Sequence, residues 1–183
     1  RGQQEYLRPQ EPALPLPYPT KEVTFTNQKA NTILSATLTL PTNFKQGQTP
    51  VVLFVTGSGP QNRDEELFFH KPFLVIADAL AKAGIASLRY DDRGVGKSTG
   101  KFNEATTFDF AEDAAAGLQY LRDQKEFGKV GVIGHSEGGM IAFMLGSQRK
   151  ADFIVSLAGP ATRIDTLMCL QINKLARAKG ATE

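Results

Sequence analysis

Apolar residues follow two different periods along this chain, and their succession predicts strands separated by helices. Residues 22–26 and 33–40 alternate apolar with polar side chains and are joined by the polar segment 27–31. This pattern is typical of a β-hairpin with one buried face. Four further runs are mainly apolar without alternation, which is typical of parallel strands covered on both faces. They are residues 51–55, 85–90, 129–133 and 152–157.

Between the continuous runs, apolar residues recur every three or four positions, which predicts helices. Pro72 opens the first helix and Gly84 caps its end, while Thr106 with Asp109 marks the start of the second. Residues 140–145 supply the apolar side chains of a third helix, and residues 163–179 form a fourth. The apolar stripes of the first, second and fourth helices are Phe73, Ile76, Ala77 and Leu80; Phe110, Ala114, Gly117, Leu118 and Leu121; and Ile164, Leu167, Met168, Ile172 and Leu175. Together these elements predict an α/β fold, a mostly parallel sheet with helices on both faces and an N-terminal antiparallel hairpin.

The chain divides into three parts. Five prolines between residues 9 and 19 exclude a helix or a central strand there, because proline lacks an amide hydrogen and fixes φ. We interpret residues 1–20 as a proline-rich linker, which either follows an upstream domain or is a solvated tail. Residues 21–162 form the core, and residues 163–183 a closing helix that begins a cap, packs on the core or contacts another chain.

Composition narrows the functional classes. The net charge is +2 and no block of Lys or Arg stands out, so a nucleic-acid surface is not indicated. No apolar run reaches the roughly 18 to 20 residues of a membrane span. Two isolated histidines make a poor metal site, and we expect no metal and no cofactor. The single Cys169 lies in an apolar helical pattern and is interpreted as a packed thiol.

The strongest chemical signal lies where the run 129–133 meets the third helix. The connecting residues are Gly134-His135-Ser136-Glu137-Gly138, a Gly-x-Ser-x-Gly motif between a strand and a helix. Serine at such a corner takes a strained backbone conformation, and the neighbouring backbone comes too close for a Cβ at either glycine. The sequence therefore predicts Ser136 as a nucleophile, with the Glu137 amide facing the oxyanion that its attack creates.

With these motifs the chain resembles an α/β-hydrolase over residues 22–160. Besides the nucleophile elbow, the resemblance depends on Gly57-Ser58-Gly59-Pro60 and on Tyr90-Asp91-Asp92-Arg93-Gly94-x-Gly96-x-Ser98, loops that follow strands. Together they are similar to motifs of bacterial dienelactone-hydrolase-like and serine-aminopeptidase-like esterases. The resemblance implies hydrolysis of small-molecule carboxylic esters, thioesters or amides through an acyl-serine at Ser136.

The same resemblance implies the oxyanion donors. They are the backbone amides of Glu137 and of Ser58, with Gly59 as an alternative to Ser58. Gly57, Gly59, Gly134 and Gly138 are expected to shape the site, and Arg93 to tie loops together at the top of the sheet. The resemblance also implies a bacterial protein, either cytoplasmic or exported with its signal removed.

The departure from the family pattern concerns the catalytic base. In this fold the acid and then the histidine follow the nucleophile, but no histidine follows His135. The side chain of His135 is expected to point away from Ser136, and His70 is interpreted as a loop residue. Asp152 and Asp165 do not stand where the family's acid would. We therefore expect a fragment, truncated at its C-terminus before the acid and the histidine, with little activity alone.

Other functions stay open at this point. Residues 94–98 mimic the end of a phosphate-binding loop, although Asp91 stands where that motif needs glycine. A hydrolase-like domain that only binds a ligand or partner, or an acyltransferase, would also fit. The charged residues 63–66 are interpreted mainly as a solvated cluster.

Overall fold

A computed structural model describes residues 8–180, so residues 1–7 of the predicted linker and residues 181–183 of the closing segment lie outside the described part. The strands are β1 (Thr20–Asn27), β2 (Thr32–Thr39), β3 (Val51–Val55), β4 (Ala86–Tyr90), β5 (Val130–His135) and β6 (Ile154–Leu157). The helices are α1 (Pro72–Lys82), α2 (Thr107–Asp123), α3 (Glu137–Ser147) and α4 (Ile164–Ala178), with a short 3₁₀ turn at Phe102–Glu104.

The six strands form one sheet in the order β1-β2-β4-β3-β5-β6. Strands β3 to β6 are parallel, while β2 is antiparallel to both β1 and β4. The α/β fold with its N-terminal antiparallel hairpin, which the sequence predicts, is therefore confirmed. The chain leaves β3 for β4 on one side and crosses to β5 on the other, which creates a crevice at the carboxyl ends of the central strands.

Both faces of the sheet are covered. On one face, α2 and α3 pack Leu118 and Ile141 against the sheet in the larger core, which includes Leu53 and Val132. On the other face, α1 packs Phe73 against a smaller cluster of sheet residues. The helix signals read from the sequence are present: Pro72 lies in the first turn of α1, and Thr106 and Asp109 form a capping box on α2.

Helix α4 exposes the cysteine that the sequence analysis places in a packed environment. Cys169 is exposed, which corrects its interpretation as a packed thiol. The reason is that the helix keeps its apolar side chains in solvent, where Met168, Leu170, Ile172 and Leu175 are 47–62% exposed. Among the helices of residues 8–180, none is both long and apolar enough to cross a membrane.

Candidate active site

Ser136 occupies the corner between β5 and α3. Its backbone has φ +53° and ψ −116°, a conformation that residues with a Cβ rarely adopt and that is typical of functional sites. The corner is fixed from both sides, because Ser136 N donates to Leu157 O at 2.9 Å and Ser136 O accepts from Gly139 N at 2.9 Å. The serine is thus held at the carboxyl edge of the sheet by strand and helix together.

The glycines around Ser136 are required by crowding. A Cβ at Gly134 would lie 1.9 Å from Gly138 O, and a Cβ at Gly138 would lie 2.1 Å from Val55 O. Both distances are far below van der Waals contact, so only a hydrogen fits between β5, β3 and α3. The elbow can therefore approach the loop after β3 closely.

A cavity of about 400 Å³ opens at this corner. Its lining brings together Ser136 and Ser58 with both histidines of the chain; the full set is Gly57, Ser58, Gln61, Glu65, Leu67, Phe68, His70, Pro72, His135 and Ser136. Glu137 instead borders a small adjoining pocket with Gly57 and Gly59. A larger groove of about 540 Å³ runs along β1 and α2 and contains none of the elbow residues. The candidate active site is therefore the smaller of these two cavities.

The loop after β3 carries the second predicted oxyanion donor. Gly57 N donates to Glu65 Oε1 at 2.6 Å, and Gln61 Nε2 donates to Ser58 O at 3.3 Å. Gly59 has φ +95°, a left-handed conformation that favours glycine. On the elbow side, the Glu137 carboxylate accepts from Thr107 Oγ1 at 2.6 Å, so this side chain is tied to the start of α2 while its amide lies at the start of α3.

Three of the four charged residues 63–66 are paired and shielded from solvent, which corrects the interpretation of this segment as a solvated cluster; only Glu66 is exposed. Arg63 donates to both carboxylate oxygens of Asp91, at 3.1 and 2.8 Å, and Asp64 pairs with Arg89. Glu65 is 6% exposed. The partners come from β4 and the residue after it, which the sequence cannot place next to this loop. The signal in the sequence is four consecutive charged residues that begin three positions after the motif 57–60.

Asp91 and Asp92 are neighbours with opposite electrostatics. Burial alone would raise the pKa of Asp91, but hydrogen bonds and charge from Arg63 outweigh it and the pKa is lowered. Burial dominates at Asp92 and raises its pKa to about 7, although Thr56 Oγ1 and Gln61 N donate to its carboxylate at 2.7 and 3.0 Å. Asp92 therefore binds the residues on both sides of the loop 57–60.

The surroundings of residues 94–98 do not favour a phosphate-binding loop. A Cβ at Gly96 would lie 2.6 Å from Asp91 Oδ2, so an aspartate carboxylate lies directly beside this glycine. The neighbouring Arg93 pairs with Asp113 on α2, its Nε 2.6 Å from Asp113 Oδ2, and Asn27 Nδ2 donates to the same carboxylate at 2.7 Å. Arg93 thus links the loop after β4 to α2, and through Asp113 to the end of β1 in the hairpin.

Both histidines line the cavity, but in residues 8–180 neither forms a hydrogen bond with Ser136 Oγ. His135 lines the same cavity as Ser136, and its Nδ1 lies 2.8 Å from Glu65 Oε1; that its side chain points away from Ser136 stays a prediction. His70 lines the same cavity from an exposed position. Within residues 8–180, no side chain forms a hydrogen bond with Ser136 Oγ. In that part of the chain, no group of three His, Cys, Asp or Glu residues could hold a metal ion either.

The two downstream acids are each paired with an arginine. Asp152 accepts a hydrogen bond from Val130 N at 2.7 Å and pairs with Arg122. Val130 is the first residue of β5, so this acid lies at the opposite edge of the sheet from the elbow. Asp165 pairs with Arg163 on the exposed start of α4. In residues 8–180 neither acid forms a hydrogen bond with Ser136, and the expectation that neither stands where the family's acid would stays a prediction.

Comparison with known proteins identifies one matching family and two similar proteins. The family described as serine aminopeptidase, S33, matches residues 71–182. Esterase EstD of Thermotoga maritima is 32% identical over 142 residues, 78% of this chain and 34% of EstD. Mouse dipeptidyl peptidase 8 is 33% identical over 60% of this chain and 13% of its own length.

Solved structures give the same fold. An esterase of Pyrococcus furiosus superposes with a TM-score of 0.64 at 28% identity, over 79% of this chain and 51% of that protein. The chain therefore spans about a third of its relative EstD and about half of this esterase.

Proposed function

Because the chain belongs to the serine aminopeptidase S33 family of the α/β-hydrolase superfamily, we propose that it carries the nucleophile of a serine esterase. The observation that supports this most is Ser136 itself, whose backbone is strained at φ +53° on the edge of the cavity. Strain of this kind persists where the surroundings enforce it and is concentrated at functional sites. Similarity to two esterases supports an ester as the substrate.

The proposed reaction is acyl transfer in two steps. Ser136 Oγ attacks the carbonyl carbon of the ester, and the carbonyl oxygen becomes an oxyanion facing the amides of Glu137 and of Ser58 or Gly59. Collapse of this intermediate breaks the bond to the alcohol, which leaves with the proton from Ser136. Water then hydrolyses the acyl-serine to the free acid and restores the hydroxyl.

In this proposal the base that accepts the Ser136 proton lies outside the described residues. His135 is committed to Glu65, and the structure shows no bond from either histidine to Ser136 Oγ. The proposal therefore takes the catalytic acid and histidine from sequence outside residues 1–183. Without them the serine keeps an unactivated hydroxyl, and residues 1–183 alone are expected to be nearly inactive.

A fluorophosphonate label and p-nitrophenyl butyrate test this proposal on the full-length protein, with Ser136→Ala as the control. We expect labelling and turnover in the full-length protein and their loss in the variant. Residues 1–183 alone should show neither. A full-length protein that neither labels nor hydrolyses the ester would favour a hydrolase-like binding domain. Alanyl-p-nitroanilide in parallel separates ester from amide substrates, and an added alcohol acceptor reveals acyl transfer.

A further inference from the structure

One carboxylate oxygen connects the loop after β3 with the nucleophile elbow. Glu65 Oε1 accepts a hydrogen bond from Gly57 N at 2.6 Å and lies 2.8 Å from His135 Nδ1. The Glu65 side chain is only 8% exposed, whereas that of His135 is 43% exposed, so water competes little for the bond to Gly57 N and has more access to the contact with His135. The mechanism described above gives Glu65 no role.

The backbone of Glu65 is held so that its carboxylate points at these two partners. Its φ of +51° lies in the left-handed region that a side chain disfavours. Glu65 N donates to Asn62 O at 2.9 Å, and the two residues before Glu65 each form an ion pair with the end of β4 or the residue that follows it. A strained and firmly anchored acid next to a nucleophile points to a role at the site.

At Gly57 the loop after β3 comes close to Glu65 and to the elbow. A Cβ added there would lie 3.1 Å from Glu65 Oε1, 3.3 Å from His135 Nδ1 and 3.3 Å from Ser136 Cβ. Gly57 directly precedes Ser58, whose amide is a predicted oxyanion donor. Since such a donor acts only when it lies within hydrogen-bond distance of the developing charge, the separation between this loop and Ser136 decides whether it contributes.

We propose that Glu65 is a positioning residue for acyl transfer. By binding Gly57 N–H and His135 together, it fixes the oxyanion donors of residues 58–59 at the correct distance from Ser136 Oγ. Glu65 acts through Gly57 and the elbow. This inference rests on the proposed esterase function, since an oxyanion donor has meaning only for attack on a carbonyl.

The test compares Glu65→Ala and Glu65→Gln in the full-length protein, with Glu66→Ala as the matched control. Glu66 is the exposed glutamate of the same loop. We expect Glu65→Ala to lower kcat by about 10- to 100-fold with KM within about threefold, because misplacement affects the transition state more than substrate binding. Glu65→Gln keeps an oxygen that can accept from Gly57 N and should restore kcat to within about fivefold of wild type. Glu66→Ala should match wild type.

A second pair of variants separates positioning from folding. Gly57→Ala inserts a methyl group into the junction and should lower kcat as Glu65→Ala does. The double variant should be no slower than the slower single variant, because both changes disturb one contact. Circular dichroism at the assay temperature measures the folded fraction, to which kcat is normalised. If Glu65→Ala fails to fold, Glu65→Gln and Gly57→Ala still give the comparison.

Two results would overturn the inference. One is a normalised kcat for Glu65→Ala equal to that of Glu66→Ala, and the other is multiplicative effects of Glu65→Ala and Gly57→Ala. Failure of the esterase proposal itself looks different, since turnover would then survive Ser136→Ala or be absent from wild type. Turnover that is lost with Ser136→Ala but unaffected by Glu65→Ala refutes only the positioning role.

Discussion

Asp92→Asn should make the stability of this fold less dependent on pH. Asp92 is 5% exposed, and burial raises its pKa from 3.8 to about 7. Asparagine has the same shape, can accept from Gln61 N with its oxygen and can donate to the Thr56 hydroxyl, which is free to rotate. The variant therefore keeps both contacts and removes only the carboxylate that titrates.

The sign of this pH dependence follows from the number of protons that the folded and the unfolded chain bind. Between pH 3.8 and about 7, folded Asp92 keeps a proton that the unfolded chain has released. Its contribution to the free energy of unfolding is therefore fully present below pH 3.8 and is lost as the pH rises through about 7. At about 1.4 kcal/mol for each pKa unit, the loss amounts to about 4 kcal/mol at pH 8 and about 1.5 kcal/mol at pH 5.

Urea unfolding monitored by far-UV circular dichroism at pH 5 and pH 8 measures this difference. The free energy of unfolding of Asp92→Asn, minus that of wild type, should increase by about 2 to 3 kcal/mol from pH 5 to pH 8. Asp91→Asn is the matched control, because the pKa of Asp91 is lowered. Its stabilising contribution is present above pH 3.8 and is lost only as the pH falls below that value.

The Asp91 variant should therefore be destabilised by the same amount at both pH values. If the difference in the free energy of unfolding between Asp92→Asn and wild type is the same at pH 5 and pH 8, the argument that burial keeps Asp92 protonated is refuted.

Two further predictions concern the elbow. Ser136→Gly should have a free energy of unfolding about 1 kcal/mol above that of Ser136→Ala, because glycine accepts φ +53° without a Cβ; equal urea midpoints would argue against strain. Gly138→Ala should cost about 3 kcal/mol or prevent folding, because its Cβ would lie 2.1 Å from Val55 O. The control Gly47→Ala, with nothing within 4 Å and φ +70°, should cost only about 1 kcal/mol in thermal unfolding, and similar losses in both variants would contradict the crowding.

Much of the fold could be predicted from the sequence because its signals are local. Period-two alternation, continuous apolar runs and a capping box each act over a few residues, so the hairpin, the parallel strands and α2 are found where the sequence predicts them. The elbow is equally local: Gly134 and Gly138 are glycines because a Cβ at either would overlap backbone. Packing could not be predicted for α4, because its apolar stripe fits a cap, a packed helix or a contact with another chain equally well; in the structure Met168 and Leu175 are exposed.

By itself, then, the sequence determined the α/β class, the position of Ser136 and the glycines that let the elbow form, since these depend on neighbouring residues. Only the tertiary structure decided what the charged residues do. Glu65 meets His135 across 70 positions of sequence, and Arg63 meets Asp91 across 28. A charge can be buried only beside a partner, and the partner is chosen by the packing of distant strands and loops. For that reason residues 63–66, which read as a solvated cluster, include a carboxylate at the candidate active site.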